Sequence, residues 1–177
     1  ILAAGIDIRR KVIEELVSLL TNQAKEKSIE IKAEIDKNLP GRLLGDPTRV
    51  RQILANLMTN AIKFTDNGSI RVRVKCLTAH TNKVGLRFEV EDTGIGIDKK
   101  KQEALFQSFT QADGSTTRKY GGTGLGLAIV KQLVLLMGGQ FGLISEAGEG
   151  AIFWYELEFS VSTSVKEEKK GRTRAIA

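Results

Sequence analysis

The sequence has one cysteine, Cys76, one histidine, His80, and no apolar run of membrane-spanning length. A single cysteine cannot form an internal disulfide, which predicts a reducing compartment, and no secretory signal pattern opens the chain. His80 lies between two predicted strands without partners for a metal site or a catalytic triad, so we expect an exposed turn residue. These absences predict a cytoplasmic protein without direct membrane contact.

Charge gives little indication of a nucleic-acid partner. The net charge of +6 comes partly from the basic tail, residues 166–174. This tail has no interleaved aromatic residues and follows no nucleic-acid-reading module, so a solvated linker is favoured over a binding segment. A 177-residue chain with 41% hydrophobic residues can bury about 70% of its unfolded surface. We expect one domain over residues 1–162, followed by a charged tail over residues 163–177.

Glycines alternate with other residues from Gly122 to Gly126 and run directly into apolar residues at helical spacing. Free backbone N–H groups at the start of a helix attract phosphate through hydrogen bonds and the helix dipole. Leu127 stands where the dinucleotide-binding pattern needs its third glycine, and no Lys-Ser/Thr pair follows Gly126 as in a Walker A loop. The stretch therefore predicts a phosphate site of another nucleotide-binding fold.

A helix with polar amides on one side is predicted to begin at Asp46-Pro47. Asn56, Asn60 and Lys63 share one face beside its apolar stripe. Because asparagine is a poor helix former, this pair indicates a task for carboxamides; surface asparagines tolerated by a well-packed helix are the alternative. Mg²⁺ prefers few protein oxygens plus phosphates and water, so Asn60 could hold the ion while Lys63 meets a phosphate.

The predicted strand ending at Val90 runs into Asp92-Thr-Gly-Ile-Gly96. A carboxylate followed by two glycines fits a flat ring lying against backbone, with Asp92 accepting a hydrogen from an exocyclic amine such as that of adenine. A tight turn is an alternative, whereas a calcium loop lacks its further acidic ligands. With the amide face and the glycine stretch, the three segments fit ATP with Mg²⁺.

Periodicity predicts the remaining elements. Helices are expected over residues 10–27 and after Asp98, and strands over residues 29–35, 70–76, 84–90, around Phe141 and Leu143, and over 153–161. The helix after the glycine stretch is expected to close at Gly138-Gly139. The residues through Asp7 are interpreted as the end of an upstream segment. Residues 111–122 have little that could pack and are predicted to form a lid, in which Arg118 either meets phosphate oxygens or makes no specific contact.

Four motifs in this order resemble those of the catalytic ATP-binding domain of sensor histidine kinases. That domain is a branch of the GHKL superfamily, which also contains type II topoisomerases and mismatch-repair ATPases. The asparagine box resembles residues 56–64, the first glycine box 92–96, the phenylalanine box 106–109 and the second glycine box 122–127. The resemblance runs from about Ile6 to Val161. It implies an α+β fold, a two-layer α/β sandwich of the Bergerat type with a mixed, mostly antiparallel sheet packed on three main helices.

The resemblance also implies roles for individual residues. Asn60 would coordinate Mg²⁺, Asn56 and Lys63 would contact phosphates and serve catalysis, and Asp92 would bind the adenine amine. The other predicted cofactor contacts are Gly94, Gly96, Ile97, Phe109, Arg118, Gly122, Thr123, Gly124, Leu125, Gly126 and Leu127.

The activity implied is transfer of the γ-phosphoryl group of ATP to a histidine. Hydrolases of the superfamily usually carry a glutamate base at the position of Asn56, and an amide cannot take that proton. The resemblance places the acceptor on a separate two-helix dimerisation domain and a response regulator receiver domain downstream. It implies a homodimeric kinase and a monomeric isolated fragment. Ala151-Ile152 replaces a common hydroxyl pair, which leaves a regulatory module without phosphotransfer as the alternative.

Overall fold

The computed structural model describes residues 4–107 and 125–161 of the chain. The strands are β1 (Ala4–Ile6), β2 (Ile29–Ile35), β3 (Leu43–Gly45), β4 (Gly68–Ala79), β5 (Lys83–Asp92), β6 (Gln140–Ser145) and β7 (Ala151–Val161). The helices are α1 (Glu15–Glu26), α2 (Pro47–Phe64), α3 (Lys99–Gln107) and α4 (Leu125–Leu136), and a π-helical segment, Ile8–Glu14, leads into α1.

The described strands form one mixed sheet in the order β1-β3-β7-β5-β4-β2, and β6 pairs with β7 beside β3. All neighbouring strands are antiparallel except β2 and β4. The hairpin of β4 and β5 aligns Val72 with Val90, and β5 in turn aligns Asp92 with Ala151 at the start of β7. The end of β5 that carries Asp92 therefore lies next to the beginning of β7.

One face of the sheet carries the hydrophobic core. Alternate residues of β4, β5 and β7 are buried there, and the rings of Phe88 and Tyr155 stack with centroids 4.6 Å apart. Helices α1, α2 and α4 cover this face, since α1 contacts β2, α2 contacts β4 and β5, and α4 contacts β6 and β7. The expected two-layer sandwich with a mixed, mostly antiparallel sheet and three main helices is confirmed.

The other face of the sheet is charged. Glu89 lies at its centre with a side chain that is 8% exposed, and it pairs with Lys75 and Arg87 at 2.9 Å each and with Arg73 at 3.5 Å. The Arg87 guanidinium also stacks on the Trp154 ring, 4.0 Å from its centroid. We call Glu89 and these three cations the outer-face cluster.

The ends of the helices follow local chemistry. The Asp46 side chain accepts the N–H groups of Thr48 and Arg49 at 3.0 and 3.3 Å, which caps α2 as predicted. At the other end of α2, the Lys27 ammonium donates to the carbonyl of Ile62 at 2.8 Å. Helix α4 ends at Leu136, and Gly138, two residues further, has a φ of +74°, the left-handed conformation that closes a helix.

The N-terminal region differs from its prediction. The helix expected over residues 10–27 is divided into a π-helical part and α1, and it begins earlier because the Asp7 side chain accepts the Arg10 N–H at 3.0 Å. Residues 4–6, interpreted above as the end of an upstream segment, form β1 and pair with β3. The sequence does not predict β1 or β3, because three residues show no alternation and pairing between distant segments leaves no local pattern.

The cysteine and the histidine lie on the β4–β5 hairpin as expected. Cys76 is partly buried against the core, and burial raises the pKa of its thiol, with the Asp36 charge adding to the rise. His80 is exposed in the connection between the two strands, where its backbone N–H donates to the Lys83 carbonyl at 2.8 Å. Cys76 is therefore a packing residue, and His80 is a turn residue.

Candidate functional site

Helix α2 presents the predicted amide face. Ile53, Leu57 and Ala61 are buried in the core, whereas Asn56 and Asn60 are only partly buried. Offsets of four residues place the two asparagines on consecutive turns of one side, as the sequence predicts. Lys63, one turn further, is also partly exposed, and its ammonium lies 5.2 Å from the centroid of the Phe64 ring.

The first turn of α4 lies directly against this face. A Cβ atom placed on Gly126 would lie 3.7 Å from the Asn56 Oδ1 and 3.9 Å from the Asn60 Nδ2. Leu127, the next residue, packs against the core and anchors the helix start. The start of α4 therefore lies beside two carboxamides, and a helix N-terminus is a position that favours anions.

Asp92 lies at the other end of the site. It is the last residue of β5 and is only 7% exposed, and its Oδ1 accepts the Gly94 N–H at 2.9 Å. Burial raises the pKa of its carboxyl group, the N–H groups of Gly94 and Ala151 act in the opposite direction, and the Glu91 charge adds to the rise. A buried carboxylate of this kind is suited to one more N–H donor, such as an exocyclic amine.

The loop after Asp92 is joined to the end of α2. The Ile95 N–H donates to the Phe64 carbonyl at 3.3 Å, and a Cβ on Gly94 would lie only 2.3 Å from that oxygen. Only glycine fits at this approach, which explains the first glycine of the motif. Both the base-binding candidate and the amide face are therefore positioned by α2.

Buried polar groups show a further feature of this region. The Thr65 hydroxyl is fully buried and has no hydrogen-bond partner among the described residues, and it would lie 2.9 Å from a Cβ on Gly94. Ala151 places a buried methyl group beside Asp92 in the sheet register. Apolar side chains thus stand where the family commonly has a hydroxyl pair after Gly150. The backbone N–H of Ala151 still contacts the Asp92 side chain.

The side chains near Gly126 determine whether the predicted Mg²⁺ could be bound there. The described ranges contain no group of three or more His, Cys, Asp or Glu side chains that could hold an ion. The carboxamide groups of Asn56 and Asn60 lie beside Gly126, so a metal here could take an amide oxygen from α2 and most of its ligands from phosphate and water. That is the coordination Mg²⁺ prefers, and the residues fit the ion.

Several predicted contacts lie outside the described residues. These are Phe109, Arg118, Gly122, Thr123 and Gly124, together with the predicted lid. Leu125 opens α4, and Ile97 and Gly96 lie in the loop after Asp92. The structure therefore brings together Asn56, Asn60 and Gly126 at one end, and Asp92, Gly94 and the end of α2 at the other.

Two residues of this region were not predicted from the sequence. Ser145, at the end of β6, and Gln102, on α3, both hydrogen-bond to Ile97 of the loop. A serine at a strand end and a glutamine on a solvated helix have ordinary surface patterns, so no local signal could distinguish them. No helix in the described part of the chain combines the length and hydropathy needed to cross a membrane.

Comparison with known proteins gives a consistent result. Residues 45–161 match the family described as histidine kinase-, DNA gyrase B-, and HSP90-like ATPase. The signal transduction histidine-protein kinase BarA of Escherichia coli (strain K12) is 40% identical over 156 residues, which are 88% of this chain and 17% of BarA. The sensor histidine kinase GacS of Pseudomonas protegens is 41% identical over 162 residues, 92% of this chain and 18% of GacS. The chain spans less than a fifth of the length of these relatives.

Solved structures agree. Full-length ShkA in complex with AMPPNP is similar with a TM-score of 0.75 and 36% identity, over 90% of this chain and 32% of that one. The nucleotide-free catalytic domain of the histidine kinase ThkA is similar with a TM-score of 0.67 and 25% identity, over 89% of this chain and 95% of that domain. The resemblance inferred from the four motifs, and its fold class, are confirmed.

Proposed function

This chain belongs to the histidine kinase-, DNA gyrase B- and HSP90-like ATPase family, and on that premise we propose that it binds ATP with Mg²⁺ and transfers the γ-phosphoryl group to a histidine. The acceptor histidine would lie on a separate helical dimerisation domain of the same kinase. A response regulator receiver domain would take the phosphoryl group in turn. The intact kinase would be a homodimer.

The observation that carries the proposal is the contact between α2 and α4. A Cβ atom on Gly126 would lie within 4 Å of the amides of Asn56 and Asn60, which supports a phosphate site between the N-terminus of α4 and this side of α2. The loop after Asp92 contacts α2 at Phe64, which lies eight residues, or about 12 Å along the helix axis, beyond Asn56. One nucleotide would therefore lie along α2 with its base at Asp92 and its phosphates at Asn56 and Asn60.

Each residue has a role that its position supports. The Asn60 oxygen would hold Mg²⁺, which when bound neutralises negative charge on the phosphate oxygens. Asn56 would orient a phosphate by hydrogen bonding, and Lys63, one turn beyond Asn60 on α2, would extend its positive charge toward the phosphates. The Asp92 carboxylate would accept the amine N–H of adenine, which distinguishes adenine from guanine because guanine presents a carbonyl at that edge. Positioning and electrostatics would then provide most of the catalysis.

The side chains favour phosphotransfer over hydrolysis. An amide at Asn56 cannot act as the general base that would activate water. His80 is exposed at the tip of the β4–β5 hairpin, at the end of β5 opposite to Asp92, so it is not placed as the acceptor. The acceptor is therefore proposed to be supplied by another domain. A regulatory module that binds nucleotide without transfer is the second candidate, favoured by the apolar Ala151 beside Asp92.

The proposal is tested by phosphotransfer between separate proteins. The chain is mixed with Mg²⁺, γ-labelled ATP and the separately expressed helical acceptor domain of the same kinase, and acid-labile label on the acceptor is followed over time. We expect labelling by the unmodified chain and a loss of at least about 100-fold with Asn60→Ala. Asn22→Ala, which removes an exposed asparagine from α1, is the matched control and should leave the rate unchanged.

The outcomes separate the candidates. Transfer to the acceptor histidine that depends on Asn60 supports the kinase. Tight binding of ATP without any transfer would support the regulatory module instead. Failure of the chain to bind ATP would reject both.

A further inference from the structure

A single hydroxyl group joins the loop after Asp92 to the turn between β6 and β7. The Ile97 N–H donates to the Ser145 Oγ at 2.9 Å, and the Ser145 O–H donates to the Gly150 carbonyl at 2.6 Å. The hydroxyl is thus used once as an acceptor and once as a donor, with geometry typical of strong hydrogen bonds.

Gln102 completes the connection from α3. Its side-chain amide donates to the Ile97 carbonyl at 2.6 Å and to the Ser145 carbonyl at 2.9 Å. Both backbone polar groups of Ile97 are therefore held by Ser145 and Gln102. We call these two side chains and their four hydrogen bonds the Ser145–Gln102 clamp.

The clamp adjoins Asp92 through the sheet. Ser145 is aligned with Ala151, and Ala151 is aligned with Asp92, so the three residues form one row across β6, β7 and β5. Gly150, which accepts the Ser145 hydroxyl, lies so close to β5 that a Cβ there would be 2.0 Å from the Asp92 carbonyl. A shift of the clamp would therefore move both sides of the proposed base-binding loop.

We propose that Ser145 and Gln102 are positioning residues that hold the loop over residues 93–97 in its base-binding conformation. The inference rests on the proposed function, because it assumes that a nucleotide base is bound at this loop. A loop fixed before binding loses less conformational freedom when the base is bound, and affinity rises accordingly. In the described part of the chain, none of the four hydrogen bonds of the clamp involves the asparagines of α2 or the first turn of α4. Its loss should therefore weaken recognition of the base and leave recognition of the phosphates unchanged.

The test compares two triphosphate probes, of which only one carries the nucleoside. The dissociation constants of Mg²⁺-ATP and of Mg²⁺-tripolyphosphate are measured by calorimetry for the full chain, for Ser145→Ala and for Gln102→Ala. We expect each variant to bind ATP about tenfold more weakly, the effect of about one net hydrogen bond, and to bind tripolyphosphate like the unmodified chain. In the phosphotransfer assay, KM for ATP should rise by the same factor with kcat unchanged.

Three further variants make the result specific. Ser145→Thr keeps the hydroxyl and should restore ATP affinity to within about twofold, a small fraction of one hydrogen bond. Ser18→Ala and Gln23→Ala, which change exposed residues of α1, are the matched controls and should bind both probes normally. Circular dichroism of each variant establishes that it is folded.

The outcomes distinguish this inference from the proposed function. If the unmodified chain binds ATP and the clamp variants bind it equally well, the inference is wrong while the nucleotide site stands. If a folded variant loses ATP and tripolyphosphate to the same extent, the clamp has a general structural role and the inference is again wrong. If the unmodified chain binds no ATP, the proposed function fails.

Discussion

The backbone of Gly96 lies against the carbonyl group of Glu146. A Cβ atom on Gly96 would be 1.9 Å from the Glu146 oxygen, and the φ of Gly96 is +65°. The neighbouring Gly148 N–H donates to the Ile95 carbonyl at 2.7 Å. The loop after Asp92 and the turn after β6 therefore pack backbone to backbone, with no room for a side chain between them.

Gly96→Ala is expected to disrupt this contact. The left-handed conformation costs a residue with a Cβ about 1–2 kcal/mol, and the clash with the Glu146 carbonyl forces the two segments apart. We expect the free energy of unfolding in urea to fall by about 2 kcal/mol, and the dissociation constant for ATP to rise at least about tenfold.

Gly41→Ala is the matched control for this prediction. A Cβ on Gly41 would have no atom within 4 Å, and the residue does not have a positive φ. Its free energy of unfolding should change by less than about 0.5 kcal/mol. Equal effects of the two substitutions would contradict the packing described for Gly96.

Asp92→Asn is expected to increase stability at neutral pH while weakening ATP binding. Burial raises the pKa of Asp92 in the folded chain, so ionisation of this group disfavours folding. Its contribution to stability is present below the unfolded pKa of about 3.9 and is lost as the pH rises through the folded pKa. The free energy of unfolding of Asp92→Asn relative to the unmodified chain should therefore be larger at pH 7 than at pH 4.

The same variant provides its own functional readout. The amide can still accept a hydrogen bond, but it loses the negative charge that favours the adenine amine. ATP affinity at pH 7 should fall by about tenfold or more. A variant that is less stable at pH 7 than at pH 4, relative to the unmodified chain, would show that the hydrogen bonds from Gly94 and Ala151 outweigh burial.

Residues that act through local spacing were predictable from the sequence. Asn56 and Asn60 share a face because a helix repeats every 3.6 residues, and Asp92 stands at the end of an alternating strand pattern. The cap formed by Asp46 and the close of α4 at Gly138 also have local signatures, and the structure confirms both. Together these features locate both ends of the candidate site.

Contacts between distant segments were not predictable. Ser145 meets Ile97 across 48 residues, and Lys27 meets Ile62 across 35. Such contacts depend on which segments the fold brings together, and the residue types involved are common on any surface. Strands β1 and β3 are three residues each, too short for an alternation to be recognised.

Lys27→Met is expected to loosen the end of α2. The Lys27 ammonium donates to the carbonyls of Ile62 and Lys63 at 2.8 and 3.2 Å, which are among the last carbonyls of the helix and lack partners within it. Methionine keeps most of the apolar side chain but removes the charge and these donors. The free energy of unfolding should fall by about 1–2 kcal/mol.

Urea unfolding measures this change, with Lys25→Met as the control. Lys25 is exposed in the last turn of α1, two residues before Lys27, so its replacement should change stability by less than about 0.5 kcal/mol. An equal loss in both variants would mean that Lys27 acts only through general surface charge. High salt should leave most of the Lys27 effect in place, because hydrogen bonds to carbonyl groups are less screened than surface ion pairs.

Glu89→Gln tests the outer-face cluster and should show a pH dependence opposite to that of Asp92→Asn. Burial alone would raise the pKa of Glu89, but hydrogen bonds from Lys75 and Arg87 and the charges of both residues lower it overall. Glutamine leaves the cations without their central anion, and we expect the free energy of unfolding to fall by about 1–2 kcal/mol at pH 7. The stabilising contribution of Glu89 is present above the unfolded pKa of about 4.3 and is lost as the pH falls through the lowered folded pKa.

The cost of Glu89→Gln should therefore shrink as the pH falls below about 4. The gain from Asp92→Asn should shrink at higher pH, as the pH falls through the raised folded pKa of Asp92 toward about 3.9. Both variants thus approach the unmodified chain in acid, from opposite sides. Glu158→Gln is the matched control, because Glu158 pairs with Lys83 on the same face but both side chains are 57% exposed. Its replacement should cost less than about 0.5 kcal/mol at any pH.

ATP affinity should be unchanged in Glu89→Gln, since the outer-face cluster lies on the face of the sheet away from α2. A loss of ATP affinity in the folded variant would instead show that the charged face is coupled to the nucleotide site through β5.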